Sequence, residues 1–203
     1  MTLIKLGSLD DTNCVIFLHG YNQTAANAKQ LFQKSIDENT LKSLSMFIYF
    51  PSNKWFTYVN DTFNYVKPSL TKCTSIVIKI INNFKLLNKN VLLIGYSQGA
   101  CLALHIAHKI KIPILSISGF LMIKNYVQPG EIYTNTPPIW YTHGTKDTEI
   151  PFKFAEETYS NTNVINKLTF NGHHWNFWEK TKFKVFIQKF FNEYVVNPVT
   201  IIT

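Results

Sequence analysis

The chain has 203 residues, of which 46% are hydrophobic and 16% are charged. This composition supplies a full hydrophobic core and excludes an intrinsically disordered chain. The formal net charge is +8, but every basic residue is lysine, and the lack of arginine argues against specific recognition of nucleic acid. Because the lysines are scattered, we expect at most a loose attraction to anionic membrane surfaces.

The cysteines and the N-terminal residues favour a cytoplasmic protein. Cys14, Cys73 and Cys101 are odd in number and match no zinc-binding spacing, so we expect reduced thiols. Asp10 and Asp11 fall where the apolar core of a signal peptide would have to lie. No apolar run is long enough to span a bilayer as a helix.

The predicted strands are short apolar runs rich in β-branched residues. Most of them are apolar throughout rather than alternating, which is typical of strands buried on both faces of a parallel sheet. In chain order, these runs are Cys14–Leu18, Met46–Phe50, Val91–Ile94, Ile114–Ile117, Ile139–Thr142 and Val164–Phe170.

Segments with helical spacing separate the predicted strands. They are Ala25–Asn39, Ser75–Leu87, Gln98–Ile110, Phe152–Ser160 and Glu179–Tyr194. The alternation predicts an α/β fold, in which a mostly parallel central sheet carries helices on both faces. We expect a single domain over residues 1–203 without a separate lid domain, and two irregular segments, 51–68 and 119–138.

One motif lies where a predicted strand becomes a helix. Gly95, Ser97 and Gly99 form the pattern G-x-S-x-G between the run Val91–Ile94 and the helix that begins at Gln98. In this context the pattern predicts a nucleophile elbow, a sharp turn that projects the serine hydroxyl from the end of the sheet. Strand and helix approach so closely there that a side chain at either glycine would clash, and we expect a strained serine backbone.

A serine nucleophile needs a base, and the base needs a third group that orients it. Asp147 follows the fifth predicted strand, so its carboxylate is expected at the same sheet edge as Ser97. The base is predicted after the last strand, where His173 and His174 are adjacent. We take His173 as the base because it directly follows Gly172, and we keep His174 as the alternative.

Two backbone N–H groups are predicted to form an oxyanion hole. Gln98 follows the serine at the start of a helix, and Tyr21 lies in the loop after the first predicted strand. Two further histidines, His19 and His143, each precede a glycine and are interpreted as packing residues.

Taken together, these motifs resemble the α/β-hydrolase superfamily and, within it, the lid-less group of carboxylesterases, phospholipases and acyl-protein thioesterases. The resemblance extends from Val15 to about Trp178 and is carried by Leu18-His19-Gly20, Pro51 with Trp55-Phe56, Gly95 to Gly99, and His143 to Pro151. The stretches His19 to Gln23 and Gly95 to Ala100 are also similar to a small family of fungal and animal serine hydrolases. One stretch departs from the thioesterase pattern, because Gly172-His173-His174-Trp175 replaces G-M-x-H.

The residues and the resemblance together imply a hydrolase that cleaves carboxylic esters or thioesters through an acyl-serine intermediate. The triad would be Ser97, His173 and Asp147. Loop residues considered for the acyl pocket are Trp55, Phe56, Phe120, Leu121 and Met122.

Other functions of the same residues stay open at this point. An acyltransferase or a peptidase would use the same triad, and a non-catalytic binding module would keep only the scaffold. We expect no cofactor and no metal. The expected partner is a small or lipid-like acyl ester or an S-acylated protein, with no specific nucleic acid, and the expected state is a monomer or a weak dimer.

Overall fold

The computed structural model describes residues 2–6, 12–42, 45–50, 53–58, 66–87, 89–122, 137–177 and 180–196. Strands and helices alternate along it. The strands are β1 (Thr2–Leu6), β2 (Asn13–Leu18), β3 (Ser45–Phe50), β4 (Asn90–Tyr96), β5 (Ile114–Ile117), β6 (Ile139–Gly144) and β7 (Val164–Phe170). The helices are α1 (Ala25–Ser35), α2 (Glu38–Lys42), α3 (Lys67–Leu86), α4 (Gln98–Ile106), α5 (Phe152–Asn161) and α6 (Thr181–Phe191).

All seven strands form one sheet in the order β1-β3-β2-β4-β5-β6-β7. Strand β1 pairs antiparallel with β3 at one edge, and the other neighbouring pairs are parallel. The mostly parallel sheet of the α/β prediction is therefore confirmed. The carboxyl ends of β2, β4, β6 and β7 lie at one edge of the sheet, which is where open α/β sheets form their sites.

Hydrophobic cores lie on both faces of the sheet, as the apolar strands predict. On one face, buried side chains of α3, α4 and α5 pack against residues such as Ile16 of β2. On the other face, α1 and α6 pack against residues such as Phe17 of the same strand. Because successive strand side chains point to opposite faces, a strand covered on both sides is apolar at most of its positions.

Several elements differ from the sequence predictions. The predicted helix Ala25–Asn39 is divided into α1, which ends at Ser35, and α2, and the predicted helices Gln98–Ile110 and Glu179–Tyr194 are shorter as α4 and α6. Strand β1 was not predicted, and helix α3 begins at Lys67, eight residues before the predicted start at Ser75. Pro68 lies in the first turn of α3, where its fixed φ and missing N–H favour helix initiation. Of the two segments predicted to be irregular, residues 51–52, 59–65 and 123–136 lie outside the described residues. Among the described helices, none is both long and apolar enough to span a bilayer.

Candidate active site

Ser97 occupies a sharp turn between β4 and α4. Its backbone has φ 52° and ψ −119°, in the region that residues with a side chain rarely adopt. Two hydrogen bonds hold it there, because Ser97 N donates to Ile117 O at 2.8 Å and Cys101 N donates to Ser97 O at 3.0 Å. The strain predicted for this serine is thus present, and β5 and the first turn of α4 fix it.

The flanking glycines allow the strand and the helix to approach each other. A Cβ atom at Gly95 would lie 2.5 Å from Ala100 Cα, and one at Gly99 would lie 2.1 Å from Leu18 O. Both contacts are with backbone, which cannot swing away as a side-chain end can. The close approach predicted from the G-x-S-x-G pattern is therefore real at both positions.

Asp147 lies in the loop after β6, and its carboxylate is held on both oxygens. Oδ1 accepts hydrogen bonds from the backbone N–H groups of Glu149 and Ile150, each at 2.9 Å. Oδ2 accepts a hydrogen bond from His174 Nδ1 at 2.6 Å. The side chain is buried, and these partners fix the direction in which it presents Oδ2.

His174, and not His173, lies between Asp147 and Ser97. Ser97 Oγ donates to His174 Nε2 at 2.9 Å, while Nδ1 of the same ring faces the carboxylate. The choice of His173 is wrong in this structure, since that side chain is exposed and its backbone N–H is bound by Asn176 Oδ1. His174 was the alternative, and it is buried.

The loop after β7 determines which of the two histidines points inward. It lies against the loop after β6, where Lys146 N donates to Gly172 O at 3.0 Å and Gly144 leaves no room for a Cβ beside Gly172 O. The His174 ring packs against the rings of Tyr96 and Trp175, with centroids 5.4 and 5.1 Å away. These contacts therefore direct the His174 side chain towards Ser97 and leave the His173 side chain exposed.

The electrostatics of Asp147 favour its ionised form. Burial raises the pKa of this carboxyl, but hydrogen bonds from His143, His174 and the backbone N–H of Ile150 outweigh burial and hold the pKa well below its usual range. The carboxylate therefore keeps its negative charge beside the His174 ring in neutral and mildly acidic solution.

The predicted oxyanion loop after β2 lies next to the serine. A Cβ at Gly20 would come within 3.2 Å of Ser97 Cβ. Within this loop, Gly20 N–H donates to Gln23 Oε1, Asn22 N–H to Asn53 O, and Gln23 N–H to Gly20 O. Among the described residues, the N–H of Tyr21 has no such partner. The N–H of Gln98 lies in the first turn of α4, where no intrahelical acceptor is available.

The Gln98 side chain has a structural role that the sequence did not reveal. It is buried, its Oε1 accepts from Trp55 N at 2.8 Å, and its Nε2 donates to Phe56 O at 2.9 Å. The indole of Trp55 donates in turn to His19 O at 2.8 Å. The Gln98 amide thus connects the segment 53–58 to the turn at Ser97. The Trp55 indole connects the same segment to the loop after β2.

A cavity of about 340 Å³ opens at Ser97. Its described lining residues are Tyr21, Lys54, Thr57, Tyr58, Ser97, Gln98, Glu149, Ile150, His174 and Trp175. The cavity wall therefore carries one positively charged side chain, Lys54, and one negatively charged side chain, Glu149. The exposed fractions of Tyr21 and Trp175 are 48% and 55%, so these two aromatic side chains form part of its rim.

None of the five side chains considered for the acyl pocket is among these described lining residues. Trp55, Phe56, Phe120, Leu121 and Met122 are all buried in the hydrophobic core on the α3–α5 face. Phe120, for example, packs on Phe154 with ring centroids 5.2 Å apart. The expectation of a pocket built from them is therefore wrong, and their role in this structure is packing.

The two packing histidines differ in their surroundings. His19 is buried at the start of the loop after β2, and its Nδ1 donates to Gly20 O at 2.6 Å. Burial lowers the pKa of His19 to about 4, although the bond to Gly20 O acts in the opposite direction. His143 is also buried, but its Nε2 lies 3.2 Å from Asp147 Oδ2. Its interpretation as a packing residue missed that contact with the carboxylate.

Comparison with known proteins agrees with this architecture. The model of the phospholipase/carboxylesterase family matches residues 2–190. No curated protein matches the chain by sequence.

Several solved structures are similar to the chain over nearly its whole length. A phospholipase/carboxylesterase from Dyadobacter fermentans has 19% sequence identity and a TM-score of 0.68, with 94% of this chain and 96% of that chain covered. Acyl-protein thioesterase 2 from Zea mays has 14% identity and a TM-score of 0.72, with 94% and 97% covered. The carboxylesterase of Bacillus cereus has 13% identity and a TM-score of 0.71, with 95% and 93% covered. At these identities the likeness shows the fold, which is that of the α/β-hydrolases.

Proposed function

From the premise that this chain belongs to the phospholipase/carboxylesterase family, we propose that it hydrolyses carboxylic esters or thioesters through an acyl-serine intermediate. The observation that carries the proposal is the hydrogen-bonded chain from Ser97 Oγ to His174 Nε2 at 2.9 Å and from His174 Nδ1 to Asp147 Oδ2 at 2.6 Å. A nucleophile, a base and an orienting acid in contact are what acyl transfer by serine requires.

In the proposed reaction, Ser97 Oγ attacks the acyl carbonyl carbon while His174 Nε2 takes the hydroxyl proton. The carbonyl π bond opens, and the tetrahedral intermediate carries its negative charge on the former carbonyl oxygen. His174 then returns the proton to the leaving alcohol or thiol as the bond to the carbonyl carbon breaks. Water, activated by the same imidazole, attacks the acyl-serine and releases the acid.

Asp147 supports both steps by its charge and its position. Its carboxylate accepts a hydrogen bond from the Nδ1–H group of His174. The unprotonated Nε2 can then take a proton from Ser97. The hydrogen bonds that keep the pKa of Asp147 low also keep it ionised, and a negative charge beside the ring stabilises the imidazolium that forms during each step.

We assign the oxyanion hole to the backbone N–H groups of Tyr21 and Gln98. This assignment is supported by the contact of Gly20 with Ser97 and by the use of the neighbouring loop N–H groups within the protein. Each such donor contributes about 10²–10³-fold to the rate in enzymes where it has been removed.

The cytoplasm is the proposed location. Cys14, Cys73 and Cys101 are free and buried. Burial raises the pKa of each thiol to about 12, so the reactive thiolate is disfavoured and the three behave as small hydrophobic residues. Unpaired cysteines of this kind are typical of reducing compartments.

The test uses the adjacent histidines as a matched pair. A fluorophosphonate probe should label the wild-type protein and fail to label Ser97→Ala. His174→Ala should lower the turnover of p-nitrophenyl acetate by about 10⁴–10⁶-fold, whereas His173→Ala, one residue away and exposed, should stay within about twofold. If the probe does not label the wild-type protein, the proposed hydrolase activity is refuted and a non-catalytic binding module is favoured.

The acceptor in the second step is tested separately. The acyl-serine enzyme is formed with p-nitrophenyl acetate or with an S-acylated peptide, in water and in water containing an alcohol or an amine. We expect free acid as the main product in both media. If the ester or amide of the added acceptor dominates instead, the protein is an acyltransferase that uses the same residues.

A further inference from the structure

We propose that His143 is a positioning residue for Asp147, so that the hydrogen-bonded chain has a fourth member behind the acid. The proposal rests on the proposed function for its kinetic readout only. Asp147 Oδ2, the oxygen that faces His174 Nδ1 at 2.6 Å, also lies 3.2 Å from His143 Nε2. Two imidazole rings thus contact the same carboxylate oxygen. The His174 ring lies on the side of Ser97, and the His143 ring lies on the side of the core.

The neighbours of His143 determine which ring nitrogen carries a proton. Nε2 lies 2.8 Å from Ile150 O and 3.2 Å from Asp147 Oδ2. A carbonyl and an ionised carboxylate can only accept hydrogen bonds, so Nε2 must be the protonated nitrogen. It donates a hydrogen bond to Ile150 O, and the same N–H group lies close enough to Asp147 Oδ2, at 3.2 Å, to stabilise the negative charge of the carboxylate.

The His143 ring cannot turn away from this position. Its side chain is fully buried, and the ring of Tyr141 is nearly parallel to it, with 6° between the planes and centroids 6.0 Å apart. Tyr141 Oη lies 3.3 Å from His143 Nδ1, and Phe152 contacts the ring from another direction. Packing on several sides therefore fixes the direction of the Nε2–H bond.

The contact with His143 completes the restraint of the carboxylate. The N–H groups of Glu149 and Ile150 hold Oδ1, and Oδ2 accepts from His174 Nδ1. Among the described residues, the one group other than His143 at Oδ2 is therefore the imidazole that Asp147 has to orient. His143 restrains Oδ2 and, through Ile150 O, also binds the turn that supplies the N–H donors. Its hydrogen bond is among the causes of the low pKa of Asp147.

Two variants separate the hydrogen bond from the space that the ring fills. His143→Leu keeps an apolar side chain of similar size and removes the donor, whereas His143→Gln offers an amide N–H close to the position of Nε2. Loss of a hydrogen bond to a charged group corresponds to about 10- to 100-fold. We expect His143→Leu to lower kcat for p-nitrophenyl acetate by that factor with KM within about twofold, and His143→Gln to recover most of the loss.

A spectroscopic measurement tests the positioning without any turnover. The proton between His174 Nδ1 and Asp147 Oδ2 should give a low-field resonance in the proton NMR spectrum of the wild-type protein. We expect this resonance to broaden or disappear in His143→Leu and to persist in His143→Gln. Nitrogen-15 spectra of histidine-labelled wild-type protein should show His143 protonated at Nε2, and they need no variant that must fold.

The positioning role of His143 and the proposed function can be refuted separately by these measurements. If the wild-type protein hydrolyses no ester but the resonance responds to the variants as expected, the positioning role stands and the proposed function falls. If His143→Leu keeps both kcat and the low-field resonance, the positioning role is overturned. A neutral His143 protonated at Nδ1 alone would overturn it as well, because such a ring could not donate to the carboxylate.

Discussion

The stability of the protein should depend on pH through His19, a buried residue that directly follows β2. Its pKa is lowered from 6.5 to about 4, mainly by burial. Between these two values the unfolded chain binds a proton at this residue and the folded chain does not. The free energy of unfolding therefore falls as the pH falls from 6.5 towards 4, and below 4 the contribution of the neutral His19 is lost in full. Each pH unit in this window is worth about 1.4 kcal/mol, so the full loss is about 3 kcal/mol.

Asp147 does not obscure this effect. Its pKa is held below the ordinary value of 3.8, so its contribution to stability is present above that value and is lost only as the pH falls further. The window between 4 and 6.5 thus reports on His19 rather than on Asp147.

The assay is urea unfolding of the wild-type protein and of His19→Asn at about pH 7 and about pH 4.5. Asparagine places an amide N–H near the position of Nδ1, so the donor to Gly20 O is kept while the titrating ring is lost. We expect the variant to be less stable at pH 7, since it loses the ring that packs on Trp55 at 5.0 Å, but to depend less on pH. If both proteins lose the same free energy between the two pH values, the burial of a neutral His19 is not the cause.

Three further predictions concern the elbow and the cavity. Gly99→Ala should destabilise the protein by about 1–3 kcal/mol and abolish fluorophosphonate labelling, because the new Cβ would lie 2.1 Å from Leu18 O; an unchanged melting temperature with full labelling would contradict this. Gln98→Met should cost about 2–6 kcal/mol in urea unfolding, because it leaves Trp55 N–H and Phe56 C=O buried without the partners they have now, and a loss below 1 kcal/mol would show that water replaces the amide. p-Nitrophenyl acetate and butyrate should be cleaved with a higher kcat/KM than the palmitate, since the described cavity wall carries Lys54 and Glu149; the reverse order would show an apolar channel.

The fold could be predicted from the chain because its signals are local. Apolar runs that lack alternation gave the parallel strands, and β5 and β7 begin and end at the predicted residues. The short strand β1 was missed because its pairing with β3 at the sheet edge is a long-range contact. The early start of α3 was missed because a proline in the first turn of a helix also fits a loop.

The sequence by itself determined the sharp turn at Ser97 and most of the positions that surround it at the ends of the strands. The glycines around Ser97 are needed because a Cβ atom at either position would collide with backbone, and the spacing G-x-S-x-G expresses that requirement. The positions of Asp147 and of a histidine after β7 follow from the rule that strands of a parallel sheet end at one edge.

Only the tertiary structure decided which of two adjacent histidines reaches Ser97 and which aromatic side chains lie in the core rather than in the cavity. Adjacent residues such as His173 and His174 point in different directions, and the loop contact between Gly144 and Gly172 selects the one that reaches Ser97. Burial likewise depends on which helix covers a side chain, so Trp55 lies in the core although its predicted loop position suggested a place in the pocket. The contact of His143 with Asp147 arises from the turn at residues 147–150, which brings Ile150 O to the same nitrogen.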